Sequence, residues 1–318
     1  MTTITDRIER ELGIPGLALL LAERLEPSDM QSLLLDVYRR LVRRRSTASL
    51  LADYTRNSFV APSSISPVEY VEWDRHAFSL LPRAVEAIEL SPVCPLGVSA
   101  AMAGLEQDRV ISTIRNTEVL SDSTNVLALE TAVRRRTIKQ HSARSDESVH
   151  LATSHRLVRG QRYADSRLSQ HFRVFSLCSG GRDPGSFRFE IEATELHLGF
   201  YLEAIRAFVG PSVTLSVSLT LLDSGARLTA AAEEFLGRLR ERFGVEAVID
   251  PTRTAGRGYY RTVCFGILGS GGEGEKSHLC DGGCVDWTQR LLGDAKERLV
   301  ISGVGSDRVC AMRRSRDT

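Results

Sequence analysis

At 318 residues, 42% of them hydrophobic, the chain can bury the core of one large domain or two moderate ones, which excludes a disordered polymer. A formal net charge of +1 gives no whole-molecule field for nucleic acid or an anionic membrane, so any polyanion contact must be local. No apolar run reaches membrane-span length. The stretch from Ile14 to Ala22 is broken by Pro15 and Gly16 and preceded by Glu9 and Glu11, the wrong charge for a signal peptide, so a cytoplasmic location is expected, with six cysteines held as reduced thiols.

Residues 1–60 read as a helical N-terminal segment, with Ser28 and Gln31 as a capping box and Leu34, Val37, Tyr38, Leu41 and Val42 recurring on one face. Arg43-Arg44-Arg45 closes it, as a solvated helix end favoured by the macrodipole or as a phosphate contact. A linker from Ala61 leads to a helix from Pro67 to about Leu80. Next come a half-buried run, Val85 to Leu90, the stop around Pro92, and a strand-like stretch from Arg109 to Leu120. Ser121-Asp122-Ser123-Thr124 then opens a helix over about 125–135, where Asp122 serves as a cap or as a ligand contact, before a polar loop over 137–148.

Two strands follow, Val149 to Gln161 and Gln170 to Cys178, joined by a charged loop. Arg156, Arg159, Arg162, Arg167, His171 and Arg173 crowd this hairpin, as solvated surface cations or as a grip for a phosphate-bearing ligand. A helix over Glu190–Val209, an alternating strand over Val213–Leu221, a helix over Leu228–Phe243 stopped by Gly244, and strands over Val245–Ile249 and Tyr259–Leu268 complete an α+β pattern without βαβ repeats. Gly269 to Gly274 with Lys276-Ser277 has the wrong spacing for a phosphate-binding P-loop and reads as a hairpin loop, and Cys280-Asp281-Gly282-Gly283-Cys284 lacks the second ligand pair of a zinc site. An apolar run then ends in Gly303-Val304-Gly305-Ser306-Asp307-Arg308, a strand-to-helix turn in which glycine permits close approach of a ligand and a guanidinium stands just beyond.

In their order, these segments resemble the catalytic core of class II aminoacyl-tRNA synthetases, histidyl-tRNA synthetase and its paralogues above all. Gly303 to Arg308 is similar to the third motif, G-x-G-x-D/E-R, and Val158-Arg159-Gly160-Gln161 to the second, aromatic-Arg-x-Glu. The helix, strand and Pro92 resemble the first motif, and Gly258-Tyr259-Tyr260 with Asp281 to Asp286 resembles the histidyl segments R-G-L-D-Y-Y and G-G-R-Y-D. Ser121 to Thr124 sits where that branch has R-P-E-G-T. The resemblance implies a catalytic domain over 65–318 with an antiparallel sheet flanked by helices. It assigns Arg159 to the α-phosphate of ATP and Arg308, with Gly303, Gly305 and Asp307, to the nucleotide. Gln161, His171, Arg173 and the aromatic Phe175 become further ATP contacts. Asp122 and Thr124 are assigned to the substrate ammonium group, and Arg257, Tyr259, Tyr260 and Asp286 to the side-chain pocket, with Mg²⁺ bridging phosphates.

The departures bear on function. Gln161 stands for the motif's glutamate, Ala255 falls where the histidyl branch has arginine, Arg257 being displaced from it, and Cys284 replaces the arginine of G-G-R-Y-D. These changes strike amino-acid recognition harder than ATP recognition. The third motif lies within a few residues of the chain's end, so an anticodon-binding domain is not expected and tRNA is an unlikely partner. The expectation is an adenylate-forming ligase that activates an amino acid or similar carboxylate for a non-tRNA or unidentified acceptor, as a homodimer through the first motif. The alternative is an amino-acid-binding regulatory subunit like that of ATP phosphoribosyltransferase, and a tRNA-charging enzyme of unusual build ranks last.

Overall fold

The computed structural model describes residues 3–161, 169–223, 225–271 and 276–314; the hairpin arginines Arg162 and Arg167 and most of the glycine-rich string after Gly271 lie outside them. Four helices open the chain: α1 (Ile4–Leu12), α2 (Leu17–Arg24), α3 (Pro27–Val42) and α4 (Thr47–Arg56). Helix α3 begins one residue before Ser28, because Pro27 occupies its first turn, where a missing N–H costs nothing, and Glu26 is the cap residue. The box expected at Ser28 forms instead at Ser46 and at Ser66, whose hydroxyl accepts from the Val68 amide while Glu69 accepts from the Ser66 amide, starting α5 (Pro67–Ser79).

After β1 (Val85–Ala87) and β2 (Val93–Pro95), the short helix α6 (Val98–Ala103) precedes a tight reversal. The stretch expected to be one strand over 109–120 folds back on itself: Asn116 takes a left-handed φ of 53°, Thr113 donates to the Thr117 carbonyl, Ser112 bridges Glu118, and β3 (Thr117–Val119) pairs with β2. Helix α7 (Ser123–His141) runs farther than its apolar pattern, into residues expected to be loop, since Lys139 near its end pairs with Asp294 at 2.5 Å.

Strands β4 (Val149–Val158), β5 (His171–Arg182), β6 (Thr214–Leu221), β7 (Glu246–Ile249), β8 (Arg261–Ser270), β9 (Lys276–Val285) and β10 (Glu297–Gly305) join β1 in one sheet ordered β1-β4-β5-β10-β9-β8-β6-β7. Only the two rims, β1 with β4 and β6 with β7, pair parallel; the middle is antiparallel, so the chain is α+β as its sequence implies.

Helices α8 (Arg188–Val209), α9 (Ala226–Phe243, ended by Gly244 at φ 59°) and α11 (Ser306–Arg314) join α5 on one face of this sheet. Helix α7 and the short α10 (Trp287–Leu292) cover part of the other. Burial of an apolar face on each side supplies most of the driving force. Helix α7 is further pinned by Arg135, wholly buried, whose guanidinium grips both oxygens of the equally buried Glu297 on β10 at 2.9 and 3.0 Å.

Candidate functional site

Side chains alternate across a strand, and on β5 that alternation decides which residues are available to a ligand. Ser176 and Cys178 meet Ser123 and Thr131 of α7, so even-numbered positions, including Phe172 and Val174, belong to the α7 face. Phe175 and Leu177 are buried on the opposite face, where Phe175 packs against Trp73 and Phe78 of α5 and Phe200 of α8.

Arg159 follows β4 on the α7 face, one step beyond the Leu157–Phe172 pair. Its guanidinium lies 5.0 Å from the Phe172 ring centroid, donates to the Ser121 carbonyl at 3.2 Å, and stands 3.9 Å from the Asp122 carboxylate. Both charges remain partly open, at 40% and 32% exposure, so they form a loose pair that a ligand can enter. Asp122 is held by the first turn of α7, accepting from the Thr124 amide at 2.9 Å and hydroxyl at 2.8 Å. Tyr259 sits beside this group, and burial, followed by the Asp122 charge, pushes its phenol upward, so it is a neutral donor at physiological pH.

Beyond Tyr259 the wall continues with Tyr260, the rings meeting edge to face at 4.8 Å. The Tyr260 hydroxyl donates to Asp281 at 3.0 Å, and Arg253 binds the other Asp281 oxygen at 2.5 Å. The Arg253 side chain is only 10% exposed, and its Nη1 is buried with no hydrogen-bond partner among the described residues. Glycines floor this region. A Cβ at Gly266 would strike His278 at 2.9 Å, one at Gly283 the Tyr260 ring at 2.7 Å, and one at Gly303 the Val174 side chain at 2.8 Å. Side chains therefore lie flat on backbone, as close approach requires.

The structure separates other residues from this group. His171 and Arg173 point to the α5 face: the His171 ring contacts the Ala61 carbonyl at 2.6 Å and Arg156 at 2.8 Å, and Arg173 pairs with Asp74 at 2.5 Å. Phe175 is a core residue, and the aromatic surface beside Arg159 is Phe172. Asp307 accepts from the Tyr70 hydroxyl at 2.6 Å and the Arg173 amide at 2.8 Å, tying α11 to α5 and β5; burial, then this bond, raises the Tyr70 phenol to about 12.

On the pocket side, Arg257 is exposed and donates to the carbonyls of Arg253 and Pro251 in its own loop, so Arg253 is the guanidinium that turns inward. Asp286 begins α10 and pairs with Arg261 at 3.3 Å and Arg290 at 3.7 Å; the carboxylate bonded to Tyr260 and Arg253 is Asp281, on β9. Gln161 is half-buried at the edge of the described hairpin. Arg308 lies along Gly305 and donates to the His278 carbonyl, beside the Arg253 and Asp281 group, and its side chain is exposed. Phe172 carried no sequence signal for its face, which only the register with Leu157 sets. Arg253 and Asp281 carried none beyond proximity to the Tyr259-Tyr260 and Gly282-Gly283 strings.

No protein-family model matches the chain, and no curated protein matches its sequence. Solved structures do. Apo histidyl-tRNA synthetase of S. aureus superposes with a TM-score of 0.57 at 14% identity, covering 80% of this chain and 69% of that one. An ATP phosphoribosyltransferase regulatory subunit/histidyl-tRNA synthetase from Bacillus halodurans gives 0.55 at 13%, over 80% and 82% of the two chains. A putative threonyl-tRNA synthetase from Aeropyrum pernix gives 0.57 at 11%, over 78% and 59%. The chain thus carries the fold of a class II aminoacyl-tRNA synthetase catalytic core, similar to the histidyl-tRNA synthetase structures.

Proposed function

We propose that the cleft binds an amino acid beside ATP and joins them as an acyl-adenylate. One observation carries this reading: Arg159 is held open between Asp122 and Phe172, with Tyr259 adjoining, so a cation for phosphate, a carboxylate for an ammonium group and a flat aromatic ring converge within one step of the sheet. In the reaction a carboxylate oxygen of the amino acid attacks the α-phosphorus of ATP, the bond from that phosphorus to the β-phosphate bridging oxygen breaks, and pyrophosphate leaves with the electron pair. Arg159 offsets the charge gathering on the α-phosphate oxygens, Asp122 orients the ammonium group, and Phe172 with Arg308 offers flat surfaces to the base. The amino-acid side chain faces Tyr260, Arg253 and Asp281.

Among the described residues no three histidine, cysteine or acidic side chains cluster, and Asp281 is shared by Arg253 and Tyr260, so Mg²⁺ would be held chiefly by the ATP phosphates and would supply charge neutralisation there. The test is ATP–pyrophosphate exchange with each amino acid in turn. Exchange with at least one, lost in Arg159→Ala with the fold intact by circular dichroism, is the expected result.

A second reading, an amino-acid-binding regulator without turnover, is favoured by one fact: His171 and Arg173, the cations expected at the triphosphate tail, are turned to the α5 face. Calorimetric binding of an amino acid that ATP neither helps nor hinders, with no exchange, would establish it in place of the first.

A further inference from the structure

Helices α1 to α4 bury no residue at all, although each carries apolar side chains at helical spacing. Fifteen large apolar side chains between Ile4 and Val60 are 41–73% exposed, Leu19, Leu41, Val42 and Leu51 among them. Isolated exposed leucines are ordinary on a protein surface; four successive helices that all leave their apolar faces uncovered are an interface.

Charge identifies what covers it. Residues 1–36 hold three arginines against seven acids, net −4, whereas residues 37–60 hold six arginines against one acid, net +5. Arg39, Arg43 and Arg44 on one side, and Glu23, Glu26 and Asp29 on the other, make no ion pair among the described residues. An anionic membrane would repel the first half, and a nucleic acid would too. A two-fold axis, however, places residue i of one copy against j of the other and j against i, so a segment with segregated charge is its own complement.

We propose that the N-terminal segment pairs with the same segment of a second copy, the acidic first half of one against the basic second half of the other, with the apolar faces between them. This contact is independent of the cleft and of any pairing through the sheet-bearing body.

Two full-length chains test it, Glu23→Cys and Arg43→Cys, the latter with a mass tag; the six native cysteines are buried. Mixed and treated with a short bis-maleimide, they are expected to give the mixed cross-link in several-fold excess over either like-with-like product. In sedimentation, Arg43→Glu/Arg44→Glu is expected to weaken self-association about tenfold or more, and adding Glu23→Arg/Glu26→Arg to the same chain to restore it. Absence of intermolecular cross-links would overturn the proposal, as would like-with-like products in excess. So would depletion of the unmodified chain by vesicles of phosphatidylcholine with phosphatidylglycerol, or self-association that survives the first double variant unchanged.

Discussion

The two faces of β5 carry the same kinds of residue and do opposite things. On one, Phe172 lies under an open guanidinium, that of Arg159; on the other, Phe175 is sealed among Trp73, Phe78 and Phe200, and Arg173 is locked to Asp74 and set over the Tyr70 ring. A single step along the strand separates the proposed ligand surface from a structural joint. Residue type therefore says little about role here, and phase along the strand says nearly everything.

Substitutions on the two faces should split cleanly. Phe175→Ala should cost about 3–5 kcal/mol in urea unfolding, the usual toll for removing a buried ring, and leave whatever ligand affinity the folded fraction has. A smaller loss, near that of a surface change, would contradict its place in the core. Arg159→Ala should reduce pyrophosphate exchange about 100- to 1,000-fold while shifting the unfolding midpoint little, because its pair with Asp122 is half exposed. If stability fell and exchange survived, the roles of the two faces would be reversed.

Arg173→Ala should lose about 1–3 kcal/mol of stability, since Asp74 is left largely buried without its cation, with exchange unchanged. Phe172→Ala should raise the KM for ATP by a few fold, in keeping with a stacking contribution of about 1 kcal/mol, with kcat nearly constant. An equal effect on kcat would place the ring against the reacting atoms instead.

The α8 face also sets a pH response. His197 is wholly enclosed, its two nitrogens bonded to Ser179 at 2.9 Å and Ser302 at 2.7 Å, and burial lowers its pKa to about 3. The unfolded chain binds that proton near pH 6.5, so the contribution is intact above pH 6.5 and is lost progressively as pH falls toward 3. Unfolding free energy should drop by up to about 1.4 kcal/mol per pH unit over that window, and His197→Asn should flatten the slope, as urea titrations at stepped pH would record.

Several elements between α5 and α11 were legible because each has a local cause: the Ser66 cap with Pro67, the Gly244 stop, the alternation of Val213 to Leu221, the glycines before Arg308; α6, α10 and β9 were not. Arg159 with Asp122, and the Tyr259-Tyr260 pair, were legible too, as motifs whose neighbours are close in sequence. What escaped was orientation. Strand β5 is apolar on both faces through its middle, so periodicity does not reveal which face Phe172 and which Phe175 belongs to. Arg253 was missed because a loop, not a spacing, carries it back to β9, and Asp281 because only strand pairing sets it opposite Gly303 and Gly266. The hairpin at 109–120 was hidden in a run of β-branched residues whose turn rests on one asparagine.

The glycines under the cleft have an evolutionary consequence. A side chain at Gly283 would have to displace the Val263 carbonyl as well as the Tyr260 ring, whereas at Gly266 and Gly303 the His278 and Val174 side chains would have to move, so each replacement asks for a second adjustment. On the proposed reading, a change of ligand would fall first on the side chains around this bed, Arg253, Tyr260, Asp281 and Arg308, with the main chain beneath them kept.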